Sequence, residues 1–165
     1  MYITLRMIHV IAGIFVGGTY LFLVPILEPR LKRLGPAIQG PVMSALMPVL
    51  TPLMGISFIV LFGTGTAMTL MLGERNLTQL VTTAWGWDIL VGIIATLAIC
   101  VVGFGIITPS GIRLAKLSRS IEGRAPSPEE GQRLQQLSAR IEKLSRINFV
   151  FVVIAIVTMV IARYL

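Results

Sequence analysis

The chain has 165 residues, 55% of them hydrophobic and only 13% charged, with a mean hydropathy of +0.88. A water-soluble domain carries about 25% charged residues, so the composition excludes that class and points to the membrane. The net charge of +7 comes with no nucleic-acid-reading motif, and no nucleic-acid partner is expected.

Four apolar segments, at about 2–26, 53–72, 89–107 and 149–165, approach the roughly 20 residues that cross ~30 Å of hydrocarbon. Backbone groups in lipid are satisfied within helices, so the expected fold is an all-α, four-helix transmembrane bundle. Residues 1–165 form a single integral membrane domain. The first segment lacks a basic leader and a small-x-small cleavage site, and reads as a span.

Span one opens with Arg6-x-x-His9, which contains the only histidine of the chain. A three-residue step is nearly one helical turn, so guanidinium and imidazole share a face that continues to Gly13 and Gly17. Ionisable groups in a bilayer mark cofactor, ion or proton sites by default. After span one, Pro36, Pro41, Pro48 and Pro52 punctuate a loop in which Val42, Met43, Leu46 and Met47 have helical spacing. That pattern predicts a short interfacial helix leading into span two. Trp85 and Trp87 mark an aromatic belt ahead of span three. Cys100 stands alone within that span and reads as a small buried thiol.

Between spans three and four, about 110–148 reads as a helical hairpin. Leu114, Leu117 and Ile121 form a stripe ending at Gly123, a C-cap residue. Ser127-Pro128-Glu129-Glu130 is a capping-box start. Leu134, Leu137, Ile141, Leu144, Asn148 and Phe151 then follow the spacing of an a/d seam into span four. The hairpin either ties two spans together or offers a docking surface. Basic residues cluster after span one (Arg30, Lys32, Arg33) and after span three (eight from Arg113 to Arg146), leaving only Arg6, Arg75 and Arg163 elsewhere. The positive-inside rule then places both termini outside and the hairpin in the cytoplasm, as expected for a multi-pass protein of a bacterial inner membrane.

This topology gathers Arg6, His9, Met68, Met71, Asp88, Met159 and Arg163 toward the outer end. Three explanations compete. In the first, His9 is the metal ligand of a haem b, Met68 or Met71 supplies sulfur, Arg6 or Arg163 meets a propionate, and Gly13 leaves room for the ring. In the second, His9 joins a thioether path for Cu(I) through Met43, Met47, Met54, Met68 and Met71. In the third, Asp88 pairs with Arg6 or Arg163, and His9 bonds a neighbouring carbonyl.

Arg6-Met7-Ile8-His9-Val10-Ile11-Ala12-Gly13 followed by Gly17-Gly18 resembles the opening helix of the CopD/HemJ-like superfamily of small four-helix bacterial membrane proteins. Gly63-Thr64-Gly65 is similar to its second helix, and Leu80-Val81-Thr82-Thr83-Ala84-Trp85-Gly86 to the start of its third. The resemblance is strongest to the uncharacterised integral membrane members. It implies the bundle fold and, in the HemJ branch, a haem b held by the residue matching His9. Where those relatives carry a lysine near the start of the third helix, this chain reads Trp87-Asp88-Ile89-Leu90. The expected function is a small non-catalytic subunit of a larger membrane complex, related to electron transfer, whose partners are the lipid bilayer and other membrane subunits. The alternatives are a CopD-like metal-handling protein and a HemJ-like oxidoreductase.

Overall fold

Proline placement shapes the first long helix of each half. The computed structural model describes residues 1–71, 77–121, 123–124, 126–162 and 164–165; Arg75 and Arg163 lie outside them. Helix α1 (Tyr2–Phe22) widens into a π turn at Leu23–Leu27 and resumes as α2 (Glu28–Leu34). Helix α5 (Ala84–Val102) widens at Gly103–Ile107 and resumes as α6 (Thr108–Ser120). A proline ring collides with the carbonyl four residues earlier and has no N–H to offer it. Pro29 and Pro109 each sit four residues beyond the middle of a π turn, so the wide turn carries that carbonyl aside. The Thr108 hydroxyl donates to the Gly103 carbonyl (3.0 Å), and Ser110 donates to that of Ile106 (2.7 Å), adding side-chain bonds around the wide turn.

Both of these helices then turn back as helical hairpins. Gly35, at φ +87°, is the one-residue turn between α2 and α3 (Pro36–Met71). Gly123, at φ +85°, follows α6 and precedes α7 (Pro128–Ile161). Both need the left-handed region that glycine enters without strain. The two halves therefore repeat one plan: helix, π turn, helix, glycine turn, and a long helix running back.

Helix α3 corrects the expectation of a separate interfacial helix and a second span from 53. A single 36-residue helix runs straight through Pro41, Pro48 and Pro52. These prolines are spaced seven and four residues apart and are all exposed, so the interrupted hydrogen bonds lie on one outward face. Val42, Met43, Leu46 and Met47 are half-buried on the other face, as their spacing predicts. The third span begins earlier than 89. Thr83 caps α5, accepting from Gly86 N–H (3.0 Å) and donating to the Gln79 carbonyl of the short helix α4 (Leu77–Thr82) at 2.7 Å. Gly86 is obligatory at this corner, since a Cβ would overlap the α4 backbone. The fourth span ends at Ile161 rather than at 165.

Four helices are long and apolar enough to cross a membrane, and the fold is an all-α four-helix transmembrane bundle. Helix α1 packs mainly on α3, α5 mainly on α7, and α1 meets α7 along the seam joining the halves. Val16, Met54, Phe58, Ile99 and Val152, one or two from each long helix, form the buried core. At the seam Gly17 lets α7 approach: a Cβ there would stand 2.9 Å from Ile156 Cδ1. The polar hairpin forms as its spacing predicts. Leu114, Leu117, Leu134, Leu137, Ile141 and Leu144 turn inward, and the Ser127–Glu130 capping box closes in both directions, at 3.2 and 2.9 Å.

Candidate functional site

Two polar nodes interrupt the apolar interior, one on each side of α1. One node is the imidazole of His9. Its Nδ1 lies 2.8 Å from Thr64 Oγ1, and the Thr64 hydroxyl lies 2.6 Å from the Val60 carbonyl. That hydroxyl has one hydrogen, which the carbonyl takes. With that hydrogen on the carbonyl, His9 Nδ1–H donates to Thr64 and a neutral ring carries its bare nitrogen at Nε2, a tautomer assigned from the bonding pattern. The Leu61 carbonyl lies against the same ring. Gly65 makes room for the imidazole, since a Cβ there would stand 3.3 Å from His9 Cε1.

The other node is Asn148, which is fully buried on α7 beside the second π turn. Its Nδ2 donates to Tyr20 Oη (2.9 Å) and to the Ile99 carbonyl (3.2 Å), tying α7 to both α1 and α5. Gly103 faces this pair: a Cβ there would stand 3.5 Å from Asn148 Nδ2 and 3.6 Å from Tyr20 Oη. The amide oxygen, Oδ1, is buried with no partner among the described residues. In lipid such bonds act as interhelical glue.

The residues expected to form a cofactor site are not brought together. Among the described residues Arg6, which is exposed, forms no ion pair, and Asp88 Oδ2 is buried without a partner. Met71 is 40% exposed, and Met68 lies one turn beyond Thr64 on α3. The space left by Gly13 is taken by Leu61, whose Cδ2 stands 3.9 Å from a Cβ built there, and the space at Gly65 by His9 itself. Gly13 and Gly65 thus do not leave an open gap at these two points between α1 and α3. Of the expected haem set, His9 stands half-buried at this seam. Among the described residues no three His, Cys, Asp or Glu side chains converge as a metal site.

Sequence reasoning missed Thr64 as the partner of His9, and Asn148 and Tyr20 as a node. A legible signal existed for Asn148, the one amide in an otherwise apolar a/d series, because a polar residue at a seam position demands a partner across it.

The fourth side of the bundle, between α3 and α5, stays open. A cleft of about 660 Å³ is lined by Gly55, Phe58, Ile59, Phe62 and Gly63 of α3, with Cys100 and Phe104 opposite. Only Phe104 reaches across, its ring edge-on to Phe58 at 5.9 Å between centroids. Cys100 is thus at the cleft wall rather than sealed in the core. No family model, no curated protein and no solved structure matches this chain.

Proposed function

We propose that this chain is a small, non-catalytic subunit of a larger complex in a bacterial inner membrane, with both termini outside and the helical hairpin in the cytoplasm. The α3–α5 cleft carries the reading. Small residues facing out of a membrane bundle serve close helix approach. Gly63 faces outward there with no atom within 4 Å of a built Cβ, two turns from Gly55 on the same wall. A transmembrane helix of a partner subunit fills such a cleft and covers the bare backbone. The basic-residue bias supports the orientation. The electron-transfer part of the proposal rests on His9 Nε2, a nitrogen at the α1–α3 seam able to ligate a haem b contributed by a neighbouring subunit.

Gly63→Leu tests the subunit role. A Cβ built at this position meets no atom within 4 Å, so the variant is expected to keep the thermal stability of the native protein. On native gels from mild detergent, the native chain is expected in a high-mass band and Gly63→Leu as the free chain. Identical mobility of the two overturns the proposal. A Soret band in that assembly, lost in His9→Ala, supports electron transfer, and a colourless assembly removes that part.

A further inference from the structure

On the hairpin, Arg113 of α6 and Arg133 and Arg140 of α7 surround a hollow of about 420 Å³, with Gln136 and Leu137 completing its wall. Two of the hairpin carboxylates among the described residues, Glu130 and Glu142, are engaged elsewhere. Arg124 grips Glu130 with two bonds (2.8 and 2.6 Å), and Glu142 takes Lys32 (2.9 Å) and Arg146 (2.7 Å). Glu129, four residues before Arg133, forms no ion pair with it. Among the described residues none of the three guanidiniums has an acidic partner. Three like charges around one hollow repel, and each presents planar donors that match phosphate oxygens two at a time.

The position of the hollow identifies what neutralises it. Ile112, next to Arg113, is 52% exposed and continues the lipid-facing apolar surface to the base of the hairpin. Arg113 lies six residues beyond the π turn, ~9 Å at helical rise. Headgroups occupy about 5–8 Å beyond the hydrocarbon on each side, and an arginine stem reaches back several ångströms more. We infer that the Arg113–Arg133–Arg140 hollow binds the phosphate of an anionic phospholipid in the leaflet facing the hairpin. Leu137 and Ile112 meet the glycerol and upper acyl region, while the guanidiniums take the phosphate oxygens. The site fixes the depth and rotation of the hairpin at the bilayer surface. It is independent of the subunit role.

The test uses the full chain in nanodiscs of phosphatidylcholine alone or with a fraction of phosphatidylglycerol, followed by native mass spectrometry of the retained lipid. The native chain is expected to hold phosphatidylglycerol preferentially. Arg113→Gln with Arg140→Gln is expected to weaken that retention roughly 30-fold, at about fivefold for each basic residue near a charged surface. Lys116→Gln with Arg119→Gln removes the same charge from exposed positions of α6 outside the hollow and is expected to change retention little. Equal loss in the two double variants reduces the effect to net charge and overturns the site. So does absence of preference in the native chain. Inorganic phosphate displacing the lipid at equal concentration likewise overturns it, because the hollow then reads a free anion. Unchanged unfolding temperature in both variants confirms that folding is not the cause.

Discussion

Replacing Thr64 with valine keeps the shape of the side chain and removes its oxygen. In the native chain that oxygen accepts from His9 Nδ1 at 2.8 Å. Without it an imidazole N–H is stranded between two helices in hydrocarbon. A stranded donor costs about 1–3 kcal/mol in a protein interior, whereas side-chain hydrogen bonds between membrane helices average about 0.6 and reach about 1.7 kcal/mol. The Leu61 carbonyl beside the ring can receive part of the lost bond, so the expected cost is about 1 kcal/mol. The bond that Thr64 donates to Val60 adds little, because a carbonyl within a helix keeps its backbone partner. Reversible unfolding in mixed detergent micelles measures the change. A double-mutant cycle with His9→Leu isolates the pair, and a coupling of about 1 kcal/mol is expected. A coupling of zero would refute the clamp. Nitrogen chemical shifts showing the proton on Nε2 would refute the tautomer and, with it, the free ligand nitrogen.

Gly17→Leu drives a side chain into Ile156 and is expected to cost about 1–3 kcal/mol, while Gly18→Leu, with open space around it, stays within about 0.5 kcal/mol; unfolding midpoints of the two compare them directly. Tyr20→Phe removes the acceptor of one Asn148 bond and is expected to cost about 0.6 kcal/mol, with Asn148→Ala costing more because it opens a fully buried site. In the hairpin, the Arg124 guanidinium and the Ser127 N–H hold the Glu130 carboxyl down at about 2. Because this folded-state value lies below the ordinary 4.5, its contribution to the hairpin is complete above 4.5 and is lost as pH falls toward 2. Amide exchange at Ser127–Gly131 should quicken over that window, and Glu130→Gln should exchange at a pH-independent protection level.

The helices and the hairpin were legible in the sequence because one strong term decides each of them. Apolar runs of spanning length permit only helix in lipid, and Ser127 through Glu130 spell out both halves of a capping box. The a/d series from Leu134 to Phe151 fixes which face of α7 turns inward. Helix α3 was misread for a local reason. Each of its prolines is a helix breaker when judged alone, but their shared face concentrates the damage on one exposed side. The π turns depend on a carbonyl four residues before a proline, and no composition window registers that geometry. The cofactor cluster was drawn from depth along the membrane normal. Depth leaves rotation about each helix axis undetermined, and it is rotation that sets Arg6 outward and turns His9 onto Thr64.

The repeated plan of the two halves has a consequence for assembly. Each half carries its own turn and its own intimate helix pair, so each can enter the bilayer as a finished unit before meeting the other. What remains to be made is one long seam, where Gly17 meets Ile156 and Tyr20 meets Asn148. A chain severed between α3 and α4 and expressed as two pieces would therefore still recombine, and Asn148 would decide whether the pieces recognise each other in register.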